Sequence, residues 1–163
     1  MNLLVISTGG TINKLYNELT GELDIGNSVA KNLYSLARGN LSVMEIAIIG
    51  KDSLDMTDDD RILLADTVRV AAEENVIILH GTDTMDKSAA ILGETVKNKK
   101  VILVGAMKPY SIERDEAIFN FACALGFLRA TPANGIYISM HSLVLPHNAI
   151  YKDRNAGIFK PLK

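Results

Sequence analysis

Short runs of Val and Ile, recurring between segments of helical period, constrain this chain most. Five such runs lie at residues 3–6, 43–49, 76–79, 101–104 and 136–140. Four lack polar alternation, as strands covered on both faces do. The second is interrupted by Glu45 and reads as an edge strand. Thr57 is placed to cap a helix over residues 58–74, with Asp58, Asp59 and Asp60 in its first turn. Ile62, Ala65, Val68 and Ala72 would face the sheet. A second helix is predicted over 86–96, with Ala89, Ala90, Leu92 and Val96 inside. A third covers 115–129, burying Ile118, Phe119, Ala122, Leu125 and Phe127, and Thr131, Pro132, Asn134 and Gly135 mark its end. Strands alternating with helices imply right-handed βαβ units. The expected fold class is α/β, an open, doubly wound, mostly parallel sheet with helices on both faces. Residues 12–30 are polar, include Gly21 and Gly26, and are expected to form a mobile loop.

The 163 residues fit one domain, 1–163, and show no internal repeat or linker. With 19 acids against 17 Lys and Arg, the charge of −2 gives no basic face for nucleic acid. No apolar run approaches the ~18 residues of a membrane span. The amino terminus lacks the basic segment and cleavage site of a signal peptide. A single cysteine, Cys123, excludes an internal disulfide and fits a cytoplasmic protein. It is expected to be a small core residue on the third helix. His141 and His147 lack a metal-ligand pattern, so no metal is expected. His80 reads as a structural residue at a strand end.

In an open parallel sheet, ligands gather beyond the carboxyl ends of the strands. The first four runs are followed by Ser7-Thr8-Gly9-Gly10-Thr11, Lys51-Asp52-Ser53-Leu54-Asp55-Met56, His80-Gly81-Thr82-Asp83-Thr84-Met85 and Gly105-Ala106-Met107-Lys108-Pro109. Hydroxyl residues and glycines cluster at all four exits, which parallel strands would bring to one edge. Thr11 and Thr82 offer hydroxyls, Asp83 and Lys152 a charge pair that could steer a proton, and Tyr16 a phenol to assist a weak nucleophile. Gly9-Gly10 lacks the Lys-Ser/Thr of a P-loop and the spacing of a dinucleotide fingerprint.

Three segments, Thr8-Gly9-Gly10-Thr11-Ile12, His80-Gly81-Thr82-Asp83-Thr84-Met85 and Val104-Gly105-Ala106-Met107-Lys108-Pro109, resemble the bacterial-type L-asparaginase family. The likeness covers essentially the whole chain but only the N-terminal domain of the usual member. That suggests a naturally short, single-domain protein without the C-terminal domain. The resemblance implies hydrolysis of L-asparagine to L-aspartate and ammonia through an acyl-enzyme, with no cofactor and no metal. The nucleophilic threonine then falls on Thr11 and the activating tyrosine on Tyr16. The relay set falls on Thr82, Asp83 and Lys152, and which threonine is acylated first stays open. Ser53 would hold the α-carboxylate and Asp83 the α-ammonium. The Ala106 carbonyl would take the amide nitrogen, and backbone N–H groups near Gly10, Thr11 and Thr82 the oxyanion.

Two departures bear on this. Leu54 stands where many members carry a polar residue such as glutamine, which weakens binding or alters the choice between asparagine and glutamine. The second domain, which in longer members supplies an acid for the α-ammonium across a subunit interface, has no counterpart in these 163 residues and is expected to be missing. Weaker substrate binding and self-association as a homodimer or homotetramer are therefore expected. Alternatives are a glutaminase-like amidase, the asparaginase-like component of a tRNA-dependent amidotransferase, and a non-catalytic asparagine- or aspartate-binding sensor.

Overall fold

The computed structural model describes residues 1–38 and 41–162; Lys163, the last residue of the expected domain, lies outside them. In chain order the elements are β1 (Asn2–Gly9), β2 (Lys14–Tyr16), β3 (Leu23–Ile25), α1 (Ala30–Leu36), β4 (Ser42–Lys51), α2 (Asp58–Val70) and β5 (Asn75–Leu79). They continue as α3 (Met85–Thr95), β6 (Lys100–Val104), α4 (Asp115–Ala130), β7 (Gly135–Met140), β8 (Leu143–Pro146), β9 (Ile150–Asp153) and β10 (Ile158–Pro161). The main sheet is ordered β4-β1-β5-β6-β7-β8, parallel except for the last pairing. The five Val/Ile runs are its parallel strands, and the run holding Glu45 is an edge.

Alternate residues of each central strand feed opposite cores. Leu4, Ile6, Val76 and Ile78 pack with Leu64, Val68, Ala89 and Leu92 of α2 and α3. Leu3, Val5, Ile77 and Leu79 pack with Leu33 of α1 and Phe121, Ala124 and Leu128 of α4. The parallel strands therefore wind outward from β1 in both directions. The crevice created where the order reverses lies between β1 and β5.

Several local expectations are corrected. The helix expected to reach Glu74 ends at Val70, because Ala71 turns to an extended ψ of 147°. Lys99 Nζ holds that end open by bonding the Ala71 and Glu73 carbonyls at 2.7 Å. Its buried stripe is Arg61, Leu64, Ala65 and Val68; Ile62 is half exposed, and Ala72 lies exposed beyond the helix. Ala90 faces solvent, and Met85 and Ser88 take the inner face of α3. In α4 the buried stripe is Ala117, Asn120, Phe121, Ala124, Leu125 and Leu128, while Phe119 and Ala122 are exposed and Ile118, Cys123 and Phe127 only partly covered. This helix is apolar nearly all round, so periodicity is a poor guide. Its rotation follows Asn120, which bonds the Gly105 carbonyl at 3.0 Å and receives the His141 N–H at 2.9 Å.

Residues 12–30 are not an unstructured loop. A single 3-10 turn (Thr11–Asn13) leads into the antiparallel β2–β3 hairpin, and α1 begins at Ala30. Asn13 is buried and ties the segment down, donating to Ser7 Oγ at 2.7 Å and Gly9 O at 2.9 Å while accepting from Val29 N at 3.0 Å. The β9–β10 hairpin and antiparallel β8 are further additions to the expected plan.

Thr57 and Asp60 form a reciprocal capping box at the start of α2, and Lys51 pairs with Asp60 at 2.8 Å. That ion pair and the Thr57 N–H hold the Asp60 carboxyl down to about 2. Thr57→Ala should cost about 1 kcal/mol and lower Tm by roughly 2–4 °C, measurable by thermal unfolding at neutral pH.

Candidate active site

The exits of β1, β4, β5 and β6 meet at one edge. Gly10 has φ +75°, and a Cβ there would lie 2.4 Å from Gly81 N. The first glycine loop thus rests directly on the backbone of the third exit, bringing the segment of Thr11 beside that of Thr82. Gly81 is equally restricted, since a Cβ would fall 2.6 Å from Ser53 Oγ. Gly10 N donates to Lys51 O at 2.9 Å, joining the first exit to the second. Thr82 Oγ1 reaches Met107 Sδ at 3.5 Å, joining the third to the fourth.

The β9–β10 hairpin supplies the lysine. Lys152 Nζ lies 2.8 Å from Thr82 Oγ1 and 2.8 Å from Asp83 Oδ1. The Lys152 side chain is 12% exposed, so this contact is well shielded from water. Arg154 closes on the same carboxylate, with Nη1 at 3.1 Å from Asp83 Oδ1 and Nη2 at 2.7 Å from the Asp83 carbonyl. Both cations therefore share one oxygen of Asp83. A cavity of about 140 Å³ lies beside Thr82, Asp83, Lys152 and Arg154. A larger cleft of about 460 Å³, against Lys97, Asn98 and Gly135, sits at the opposite ends of the strands.

Ser53 is buried, and its Oγ has no hydrogen-bond partner among the described residues. Its backbone is fixed from below. Arg61, buried on α2, donates to Met56 O at 2.9 Å and to Thr84 Oγ1 at 3.2 Å, and Thr84 Oγ1 donates to Ser53 O at 2.7 Å. A buried hydroxyl without a partner carries a desolvation cost that a bound polar ligand could offset. Ala106 is buried in the fourth exit. The Glu116 carboxylate accepts the Met107 N–H at 3.0 Å and the Lys108 N–H at 3.2 Å, fixing the loop that follows.

Thr11 opens the 3-10 turn, half-buried, and its hydroxyl makes no hydrogen bond among the described residues. Tyr16 ends β2, 59% exposed, and its hydroxyl is likewise unbonded. The structure thus joins Thr82, Asp83 and Lys152 directly and sets Gly10, Ser53 and Ala106 around them. It draws no hydrogen bond between Thr11 and Tyr16. Leu54 points outward, 65% exposed.

Arg154, Arg61, Asn13 and Glu116 were not singled out by sequence. Arg154 sits two residues from Lys152 on a hairpin that gave no strand signal. Arg61 carried a faint one, a cation in the acidic first turn of a helix.

His80 is fully buried, with Nδ1 2.8 Å from Gly81 O and Nε2 2.8 Å from Ser88 Oγ. A carbonyl can only accept, so Nδ1 carries the proton and Nε2 receives the Ser88 hydroxyl. Burial, reinforced by the Arg61 charge, pushes His80 from 6.5 down to about 4. Among the described residues no group of three or more His, Cys, Asp or Glu could hold a metal ion, and no helix is long and apolar enough to cross a membrane.

Comparison with known proteins bears on the family and the fold. The family model for the asparaginase N-terminal domain matches residues 2–158. The chain is 27% identical to L-asparaginase 2 of Escherichia coli (strain K12), over 96% of this chain and 48% of the relative. It is 29% identical to one of the subunits of the glutamyl-tRNA(Gln) amidotransferase of Methanococcus maripaludis, over 86% of this chain and 35% of that protein. The thermostable L-asparaginase from Thermococcus kodakarensis superposes with a TM-score of 0.85 at 26% identity, covering 99% of this chain and 51% of the other. The chain thus spans about half the length of these asparaginases, and about a third of the amidotransferase component.

His80 binds a proton more readily unfolded than folded, so its stabilisation is complete above about pH 6.5 and is lost as the pH falls toward 4. The loss should be roughly 3 kcal/mol, and His80→Gln should flatten that stretch of the profile. Denaturant midpoints between pH 7 and 4.5 test this above the range where lowered carboxylates such as Asp60 titrate.

Proposed function

Because this chain belongs to the asparaginase family, we propose that it is an amidohydrolase that converts L-asparagine to L-aspartate and ammonia through a threonine-bound acyl-enzyme. The observation that carries the reading is Lys152 Nζ, held 2.8 Å from both Thr82 Oγ1 and Asp83 Oδ1 beyond the carboxyl end of β5. A binding surface alone has no need of an amine aimed at a hydroxyl and oriented by a carboxylate. Hydroxyl, amine and orienting carboxylate together have the form of a proton relay.

In this reading Thr11 Oγ1 attacks the carboxamide carbon, and Thr82, Lys152 and Asp83 relay its proton toward the departing nitrogen. The C–N bond breaks, ammonia leaves and an ester remains. Water then cleaves the ester, restoring the hydroxyl and releasing aspartate. Tyr16, at the end of β2, supplies the phenol that assists Thr11. The buried, unpaired Ser53 hydroxyl receives the α-carboxylate. Asp83 Oδ2, the oxygen left over by Lys152 and Arg154, is the one open to the α-ammonium. The Ala106 carbonyl accepts the amide nitrogen. Backbone N–H groups near Gly10, Thr11 and Thr82 hold the oxyanion, each worth about 3 kcal/mol of barrier. Neither metal nor cofactor takes part.

Leu54 favours a second reading, an amidase that accepts glutamine as readily as asparagine. The unbonded Thr11 hydroxyl favours a third, a domain that senses asparagine without turnover. A homodimer or homotetramer would close the exposed side of the site, which sedimentation would reveal. A cytoplasmic location fits the lone Cys123; one relative, 28% identical, is named a probable periplasmic L-asparaginase from Haemophilus influenzae, so cell fractionation is the check.

The wild-type protein should release ammonia from L-asparagine with a Michaelis constant higher than that of long asparaginases. Thr11→Ala and Thr82→Val should each lower kcat by about 100- to 1,000-fold, with ligand affinity, read by calorimetry, largely kept. Binding of asparagine without ammonia release by the wild type would establish the sensor instead. Equal rates on glutamine would establish the broader amidase.

A further inference from the structure

We propose that His141 and Glu116 form a brace that sets the distance between the Lys152 amine and the Ala106 loop, making them positioning residues for the reaction. The proposal rests on the amidohydrolase reading above. His141 lies in the two-residue turn between β7 and β8, where it and Ser142 have φ of 52° and 68°. Turns of this kind favour Asn and Gly, so a histidine here is conformationally strained. Its ring makes two bonds in return. Phe159 N donates to His141 Nδ1 at 3.1 Å, so the imidazole proton sits on Nε2, which faces Glu116 Oε1 at 3.2 Å. Phe159 is the residue directly opposite Lys152 in the β9–β10 ladder. Glu116 in turn holds the Met107 and Lys108 amides, the residues that follow Ala106. One side chain pair therefore spans from the strand backing the lysine to the loop that presents the amide-binding carbonyl. Asn120 reinforces it, taking the His141 N–H and holding Gly105 O. Among the described residues neither the His141 nor the Glu116 side chain bonds to Thr82 or Lys152, so each acts through backbone placement.

Two variants test the brace. His141→Gly removes the imidazole and relieves the left-handed strain, so Tm should stay within a few degrees. Its kcat on L-asparagine should fall about 10- to 100-fold, the scale of an ångström-sized misplacement, with KM changed less than threefold. Glu116→Gln should show the same split more weakly. Unchanged kcat in both, or kcat and Tm falling together in both, would overturn the brace. Hydrogen exchange gives a readout independent of turnover: His141→Gly should speed exchange at the Phe159 and Met107 amides but not along β6. Unaltered exchange there would also overturn it. A wild type that hydrolyses no amide would overturn the functional reading alone, leaving the exchange result to decide the brace.

Discussion

The contact of Gly10 on Gly81 is the constraint on which the rest of the site depends. A parallel sheet that winds outward in both directions leaves a crevice between β1 and β5, but the fold alone does not say how wide it is. Backbone laid on backbone leaves no room there for even a Cβ. Two hydroxyl-bearing turns from strands far apart in sequence are thereby held as neighbours. The hydrogen bond from Gly10 N to Lys51 O extends the same registration to the exit that carries Ser53.

Around this rigid floor the polar groups divide by how fully they are satisfied. Thr84, Asn13, Asn120 and His80 are buried and bonded within the protein, as is Arg61 except at its Nε, and they hold loops rather than face a ligand. Among the described residues the buried Ser53 hydroxyl is left over, and the half-buried Thr11 hydroxyl also makes no hydrogen bond. Such a division is what a preorganised site requires, since groups already bonded need not reorganise when charge develops nearby. Asp83 stands between the two classes, with one oxygen shared by Lys152 and Arg154.

The central sheet was legible because its strands are buried on both faces, and burial writes itself as unbroken Val and Ile. The strand exits were legible for a related reason: glycines and hydroxyls at Gly9, Gly10, Gly81 and Thr82 interrupt that pattern abruptly. What could not be read was set by tertiary contacts. The rotation of α4 is decided by Asn120 reaching Gly105 and His141, against an apolar background that offered no preferred face. The β2–β3 hairpin is fixed by the buried amide of Asn13, a residue that by itself suggests only a turn. Arg154 joins Asp83 across a separation of 71 residues, which no local pattern encodes.

The tight seat of Gly10 on Gly81 also limits how this pocket can diversify. Neither position has room for a single added carbon, so the floor is closed to both natural drift and laboratory redesign. Novelty must enter from the rim, where Leu54 and Leu19, the latter between β2 and β3, stand in solvent and can be exchanged without disturbing what lies beneath.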